Sequence, residues 1–395
     1  MASGLSKARL QRLTGVAKQS VESGELVGAI ALVERHGEAH VDIVGLADRE
    51  RNLPMKRDTI FRLASMTKPI TAVAAMILVE ECKLRLDEPI DRLIPEMANR
   101  KVLKRVDGPI DDTEPARRAI TLRDCLTFRM GHGMMFGFGE PTPFQKAMND
   151  AGLGLVIGAL PMDMDDWIER LGKMPLLSQP GERVYYNTGS DIVGLMIQRA
   201  TGKSFEAFLK ERIFDPLGMK DTAFHVPADK LGRLAGLYGV NPQTREIAAQ
   251  EDPVIGRYSK PPAFQSGGGG LVTTLDDYLA FGRMMLAGGK LGKERILSRP
   301  SIEAMTQDYL TPEQKRTAGF FPGSWDGRGW GFGVGVVTER LGVAWSPGRY
   351  GWDGAYGTQW SCDPKEDMNC ILMVQRMGSS FGTDFLTLAY QAIDD

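Results

Sequence analysis

In RLASMTKPI, residues 62–70, a serine stands three residues ahead of a lysine, and Ser65 with Lys68 could serve as a nucleophile with its base. A serine hydroxyl attacks a carbonyl only when a neighbour takes its proton, and an amine does so only when it is kept uncharged. The spacing itself has little weight, because about one S-x-x-K is expected by chance in a chain this long. The setting adds more. TKPITAVAAMILVEECKL reads as a helix that begins at Ser65, with Pro69 tolerated in its first turn. Ser65 then sits at the positive end of the helix dipole, and its backbone N–H is one of the unsatisfied first-turn donors. Lys68 lies one turn on, on the same face. The apolar run Ala72–Val79 implies a buried helix, and burial lowers a lysine pKa towards neutrality. A capping serine beside a snorkelling lysine fits the same local residues.

Other constellations carry less. GSSFG, Gly378–Gly382, has the G-x-S-x-G spacing of a nucleophile elbow around Ser380, but all four histidines (His36, His40, His132, His225) precede it. The elbow needs its histidine later in the chain, so this segment reads as a turn into the last helix. His36 and His40 have the spacing of two zinc ligands on a helix face, yet they fall in an expected hairpin and lack the H-E-x-x-H glutamate. They read as turn histidines. GGGG, Gly267–Gly270, is followed by Leu-Val rather than by the Lys-Ser/Thr of a P-loop. It reads as a tight turn before a helix capped by Thr274.

Several elements must hold such a site. Leu10, Leu13, Ala17 and Val21 mark an amphipathic first helix. VGAIALVERHGEAHVDIVGLAD reads as a β-hairpin, strands at 27–34 and 39–46. Residues 91–299 are mostly helical segments with Pro- and Gly-rich loops. Strand character returns in GFGVGVVTERLGVAW, AYGTQWSCD and NCILMVQR, before a last helix at 384–393. The expected fold is α/β (α+β): an antiparallel sheet built from both terminal segments and flanked by helices, plus a mostly helical lobe. Its domains would be 1–90 with 300–395, and 91–299.

The 395 residues, 43% hydrophobic and 25% charged, suffice for two lobes with a sizeable core. A net charge of −2 without long like-charge runs gives no reason to expect nucleic acid or an anionic membrane as partner. The N-terminus lacks a signal-peptide core, and no stretch approaches a membrane span. Cys82, Cys125, Cys362 and Cys370 are far apart with no C-x-x-C, which suits a reduced, cytoplasmic protein. Oligomeric state is not legible.

Three separated stretches carry a family resemblance over nearly the whole chain. FRLASMTKPITAVAAMILVEECKLRLDEPIDRLIPE resembles the nucleophile region of the serine β-lactamase and penicillin-binding-protein superfamily, in particular of class C β-lactamases and family VIII carboxylesterases. PGERVYYNTGSDIVGLMIQRATGKSFEAFLKERIFDPLGM resembles the segment with that family's catalytic tyrosine, and YGWDGAYGTQWSCDP resembles the strand beside its active site. Counted from Pro180-Gly181, the tyrosine is Tyr186; the Y-x-N frame instead pairs Tyr185 with Asn187. The count from the Pro-Gly turn is preferred, and Tyr185 is then a core residue.

The resemblance implies a small-molecule ester substrate, no metal or other cofactor, and an acyl-enzyme mechanism. In it Ser65 attacks while Lys68 and Tyr186 handle its proton. The oxyanion would lie between the N–H groups of Ser65 and Ala355, and Trp352 and Tyr356 would line an apolar pocket. Two departures matter. The family's K-T-G becomes Trp352, Asp353 and Gly354, which disfavours β-lactams and D-Ala-D-Ala peptides and suits neutral short-chain esters. The histidine of L-L-T-H-T-S-G becomes Phe128, and His132 has no evident role. Neither S-D-N nor K-T-G occurs. The same triad could serve a β-lactamase, a D-Ala-D-Ala carboxypeptidase or an acyltransferase, and a binding protein could retain the fold alone.

Overall fold

The hairpin expected near the N-terminus is the centre of a sheet. In the computed structural model, which describes residues 3–135, 140–154, 160–241, 243–244, 246–317 and 323–395, strand β1 (Gly28–Arg35) runs into β2 (Glu38–Asp48). The connection is the two-residue turn His36–Gly37. A short β3 (Leu53–Pro54) follows on the outer edge. Five strands come from the other end of the chain: β4 (Arg328–Trp330), β5 (Gly335–Val337), β6 (Tyr350–Asp353), β7 (Gln359–Asp363) and β8 (Met368–Val374). The eight form one antiparallel sheet in the order β4-β5-β6-β7-β8-β1-β2-β3. β8 lies against β1, with Ala29 opposite Val374 and Arg35 opposite Met368. The two terminal segments therefore build the sheet together.

Every residue of β1 is buried, because helices cover both faces. Alternation divides it: Ala29, Ala31 and Val33 pack with helix α1 (Lys7–Glu22) in one core, while Ile30 and Leu32 join the core of helix α2 (Thr67–Glu80). Residues 91–299 hold helices α3 (Met164–Lys173), α4 (Thr188–Thr201) and α5 (Leu275–Leu286), several shorter helices, and two-stranded ribbons at Lys101–Leu103/Thr113–Pro115 and Leu237–Val240/Ile247–Glu251. Helix α5 covers the sheet: Tyr278 and Phe281 meet Trp360 of β7 at ring-centroid distances of 5.7 and 5.6 Å. Thr274 caps it by accepting from the Asp277 N–H.

The last helix, α6 (Phe381–Tyr390), begins three residues before the expected 384. Ser380 is the residue before it, and its Oγ donates to Glu25 at 2.6 Å, so the G-x-S-x-G is a turn. His36 and His40 pair separately with Asp367 and Asp42. Among the described residues, no His, Cys, Asp or Glu cluster could hold a metal ion, and no helix is long and apolar enough to cross a membrane.

Candidate active site

Ser65 lies in a 3-10 turn, Ala64–Met66, that leads straight into α2. Ala64 before it has a φ of 45°, a left-handed conformation that costs a non-glycine residue about 1 kcal/mol or more. Leu63 and Thr67 hold the turn by bonding to the Leu271 backbone at 2.9 and 3.1 Å. Lys68 is only 1% exposed. Its Nζ has three partners: Ser65 Oγ at 2.9 Å, Asn187 Oδ1 at 2.8 Å and the Gly268 carbonyl at 2.5 Å. Burial lowers its pKa to about 7, and the Asp191 carboxylate opposes that shift. As an ammonium, Lys68 donates to all three partners. As a free amine it keeps the two donations to Asn187 and Gly268 and offers its lone pair to the Ser65 hydroxyl.

Tyr186, not Tyr185, reaches this pair. Its hydroxyl is hydrogen-bonded to Ser65 and accepts from Trp352 Nε1 at 2.6 Å. Its ring lies 4.4 Å from Lys68 Nζ and packs among Phe128, Trp330 and Trp352. Phe128 meets the Tyr186 ring edge-on at 5.0 Å and so helps to fix it. Burial raises the phenol's pKa above its ordinary value, so the resting group is protonated. Tyr185 turns away into the cluster of Leu103, Phe144 and Leu177.

Asn187 and the glycine run complete the lysine's surroundings. Asn187 enters α4 with φ 83° and ψ −62°, a strained backbone of the kind found at functional sites. Asp191, one turn on and 6% exposed, accepts from Ser266 Oγ at 2.7 Å, Gly268 N at 2.9 Å and Asn187 Nδ2 at 3.4 Å. These donors favour its ionised form although burial raises its pKa. By accepting from Nδ2, Asp191 also turns the Asn187 amide so that Oδ1 faces Lys68. Gly267–Gly270 is therefore more than a turn. A Cβ on Gly268 would lie 2.7 Å from Asn187 Oδ1, so glycine lets the backbone approach and supply a carbonyl to the lysine. Asp191 and Gly268 were missed in the sequence, although the four-residue step from Asn187 to Asp191 on one helix was a usable sign.

Ser65, Tyr186, Trp352, Asp353, Gly354 and Ala355 share a cavity of about 740 Å³. Gly354 brings the end of β6 against the Ser65 turn: Thr358 donates to the Leu63 carbonyl at 3.2 Å, and a Cβ on Gly354 would collide with both groups. Tyr356 is a correction. Only 2% exposed, it packs with Ala64 and Leu237 outside the cavity wall, because the chain turns after Gly354. His132 does line the cavity. It is buried against Phe144, neither ring nitrogen has a hydrogen-bond partner among the described residues, and burial lowers its pKa to about 3, so it is neutral.

A buried amine on a serine at a helix start, with a tyrosine hydroxyl on that serine, lies between a sheet and a helical layer, an arrangement of the kind acyl transfer requires. The beta-lactamase family matches residues 13–392, and the chain belongs to it. Protein Rv1367c of Mycobacterium tuberculosis is 38% identical over 91% of this chain and 88% of its own. Esterase EstB of Burkholderia gladioli is 31% identical over 92% of this chain and 89% of its own. Relatives named as acyltransferases also match. The fold is that of EstCE1, described as a hydrolase with promiscuous acyltransferase activity, at a TM-score of 0.80 with 98% of this chain and 99% of that one covered, at 24% identity.

Proposed function

We propose that the protein is a carboxylesterase of the family VIII kind, cleaving carboxylic esters of short acyl chains through an acyl-enzyme on Ser65. The observation that carries this reading is the buried Lys68 amine on Ser65 Oγ with Tyr186 beside it, in a cavity whose strand presents Trp352 and Asp353 where a lysine would anchor a β-lactam carboxylate. Free Lys68 takes the Ser65 proton as Oγ attacks the ester carbonyl. The tetrahedral oxyanion lies between the N–H groups of Ser65 and Ala355. Tyr186, protonated at rest, gives its proton to the leaving alkoxide and is recharged from the Lys68 ammonium. Water then attacks the acyl-enzyme, its proton passing through the Tyr186 hydroxyl to Lys68, and Ser65 leaves with a proton restored. Four free cysteines, three of them buried, suit a reducing cytoplasm.

The test is intact mass after brief exposure to an activated short-chain ester. One acyl group is expected on the wild type and none on Ser65→Ala; an adduct that survives Ser65→Ala refutes the mechanism. Faster turnover of a chromogenic cephalosporin than of a nitrophenyl ester would instead assign a β-lactamase. The relatives named as acyltransferases favour one second reading, transfer of the acyl group to an alcohol. An added alcohol that outcompetes water for the acyl group would support it.

A further inference from the structure

The cavity has two chemically different walls. The wall from the helical layer is mostly apolar, with Phe144, Met148, Leu153, Leu160 and Trp167 beside Gln145 and Asn149. The wall from the sheet side carries Ser324, Arg328 and Asp353. Arg328 opens the edge strand β4, and its guanidinium carbon lies 4.3 Å from the Trp345 ring centroid. Stacking of that kind leaves the in-plane N–H donors free to point elsewhere. Other arginines of the chain fork onto carboxylates: Arg199 onto Glu96, Arg118 onto Asp124, Arg123 onto Asp87. The Arg328 guanidinium has neither a hydrogen bond nor an ion pair with any described residue, and the residue lines the cavity.

A guanidinium presents planar pairs of N–H donors that are costly to leave without acceptors. The group that best matches a planar pair of such donors is a carboxylate. The charges near it are Asp353 on the cavity wall and the buried Arg349, each of which interacts electrostatically with Arg328. Two cations against one anion leave the surroundings of Arg328 net positive, with Asp353 opposing an incoming anion and the arginines favouring it.

We propose that Arg328 anchors a carboxylate of the substrate, so that the preferred substrates are half-acids. Such a molecule carries a scissile neutral ester, an apolar body for the helical wall and a free carboxylate on the same skeleton. The inference rests on the esterase reading and narrows its substrate class. It also gives the site a cation different from the lysine of K-T-G, on a different strand.

The experiment compares kcat/KM within two matched pairs. Mono-4-nitrophenyl adipate and its methyl ester place the carboxylate on the acyl side; 4-acetoxybenzoate and its methyl ester place it on the alcohol side. In at least one pair the wild type is expected to favour the acid by about 10-fold or more, the size of a charge-assisted pair. Arg328→Met should collapse that ratio about 10-fold, Arg328→Lys should retain part of it, and Asp353→Asn should raise it. A purely structural role for Arg328 would lower both members of a pair alike. A ratio unmoved by Arg328→Met, or a wild-type preference for the neutral ester in both pairs, overturns the inference while leaving the esterase reading intact. No turnover of any of the four esters overturns both.

Discussion

Asp191→Asn keeps the shape of a buried side chain and removes the negative charge that holds up the basicity of Lys68. The size of the effect follows from the hydrogen-bond chain between them. Lys68 Nζ is 2.8 Å from Asn187 Oδ1, and Asn187 Nδ2 is 3.4 Å from Asp191 Oδ2. With the amide between, the two charges are roughly 6–8 Å apart. At an effective dielectric constant near 20 this is worth about 2–3 kcal/mol, or about 1.5–2 pKa units. Lys68 acts as a base only when unprotonated, so kcat/KM rises with pH through its pKa, which stands at about 7. Removing the opposing carboxylate lowers that pKa, and the acidic limb should move down to about pH 5–5.5. The plateau should fall about 10-fold as well, because an asparagine at 191 cannot accept at both oxygens and loosens the Asn187 amide. The assay is a kcat/KM profile on a nitrophenyl ester from about pH 4 to 9. An acidic limb that stays in place or moves up would show that Asp191 does not act on the base, or that the limb belongs to another group.

Three further outcomes follow from the geometry. Tyr186→Phe should lower kcat by about 10²–10⁴, the usual worth of a proton-transfer group, whereas Tyr185→Phe should stay within about 3-fold; steady-state kinetics on one ester decides between the adjacent tyrosines. Gly268→Ala should cost about 10²-fold in kcat/KM at unchanged secondary structure by circular dichroism, because its Cβ displaces Asn187 from Lys68. Gly354→Ala should separate the two oxyanion donors and lower kcat about 10²–10³-fold with little change in KM.

The sheet was legible because β1 and β2 carry their signal locally, in apolar runs flanking a polar two-residue turn that only a hairpin uses comfortably. The start of α6 was less so, since Gly382 weakens the helical pattern that Phe381 opens. At the site, Ser65 and Lys68 are three residues apart in any helix. What distinguishes a base from a snorkelling lysine is Asn187 and Gly268, more than a hundred residues away. Tyr185 and Tyr186 lie in extended chain, where Tyr186 pairs with Met134 and neighbours face opposite sides, so a frame error of one exchanges site for core. Tyr356 shows the reverse error: next to Ala355 in sequence, it is carried off the cavity wall by the turn after Gly354. Arg328 had no sequence signal, because a missing partner is a property of the folded surroundings alone.

The pairing of β1 with β8 also sets when the site can be assembled. Ser65 and its helix leave the ribosome early, but the strand beside β1 is not made until residues 368–374. At about 5–20 residues per second the nascent chain waits on the order of tens of seconds with the apolar edge of GAIALVER unpaired. Through that interval the Trp352 strand is also missing for most of the time, so Ser65 is present without the cavity wall that strand supplies. The chain is born with its site unassembled and an apolar edge exposed, a liability that comes from its topology rather than from its stability.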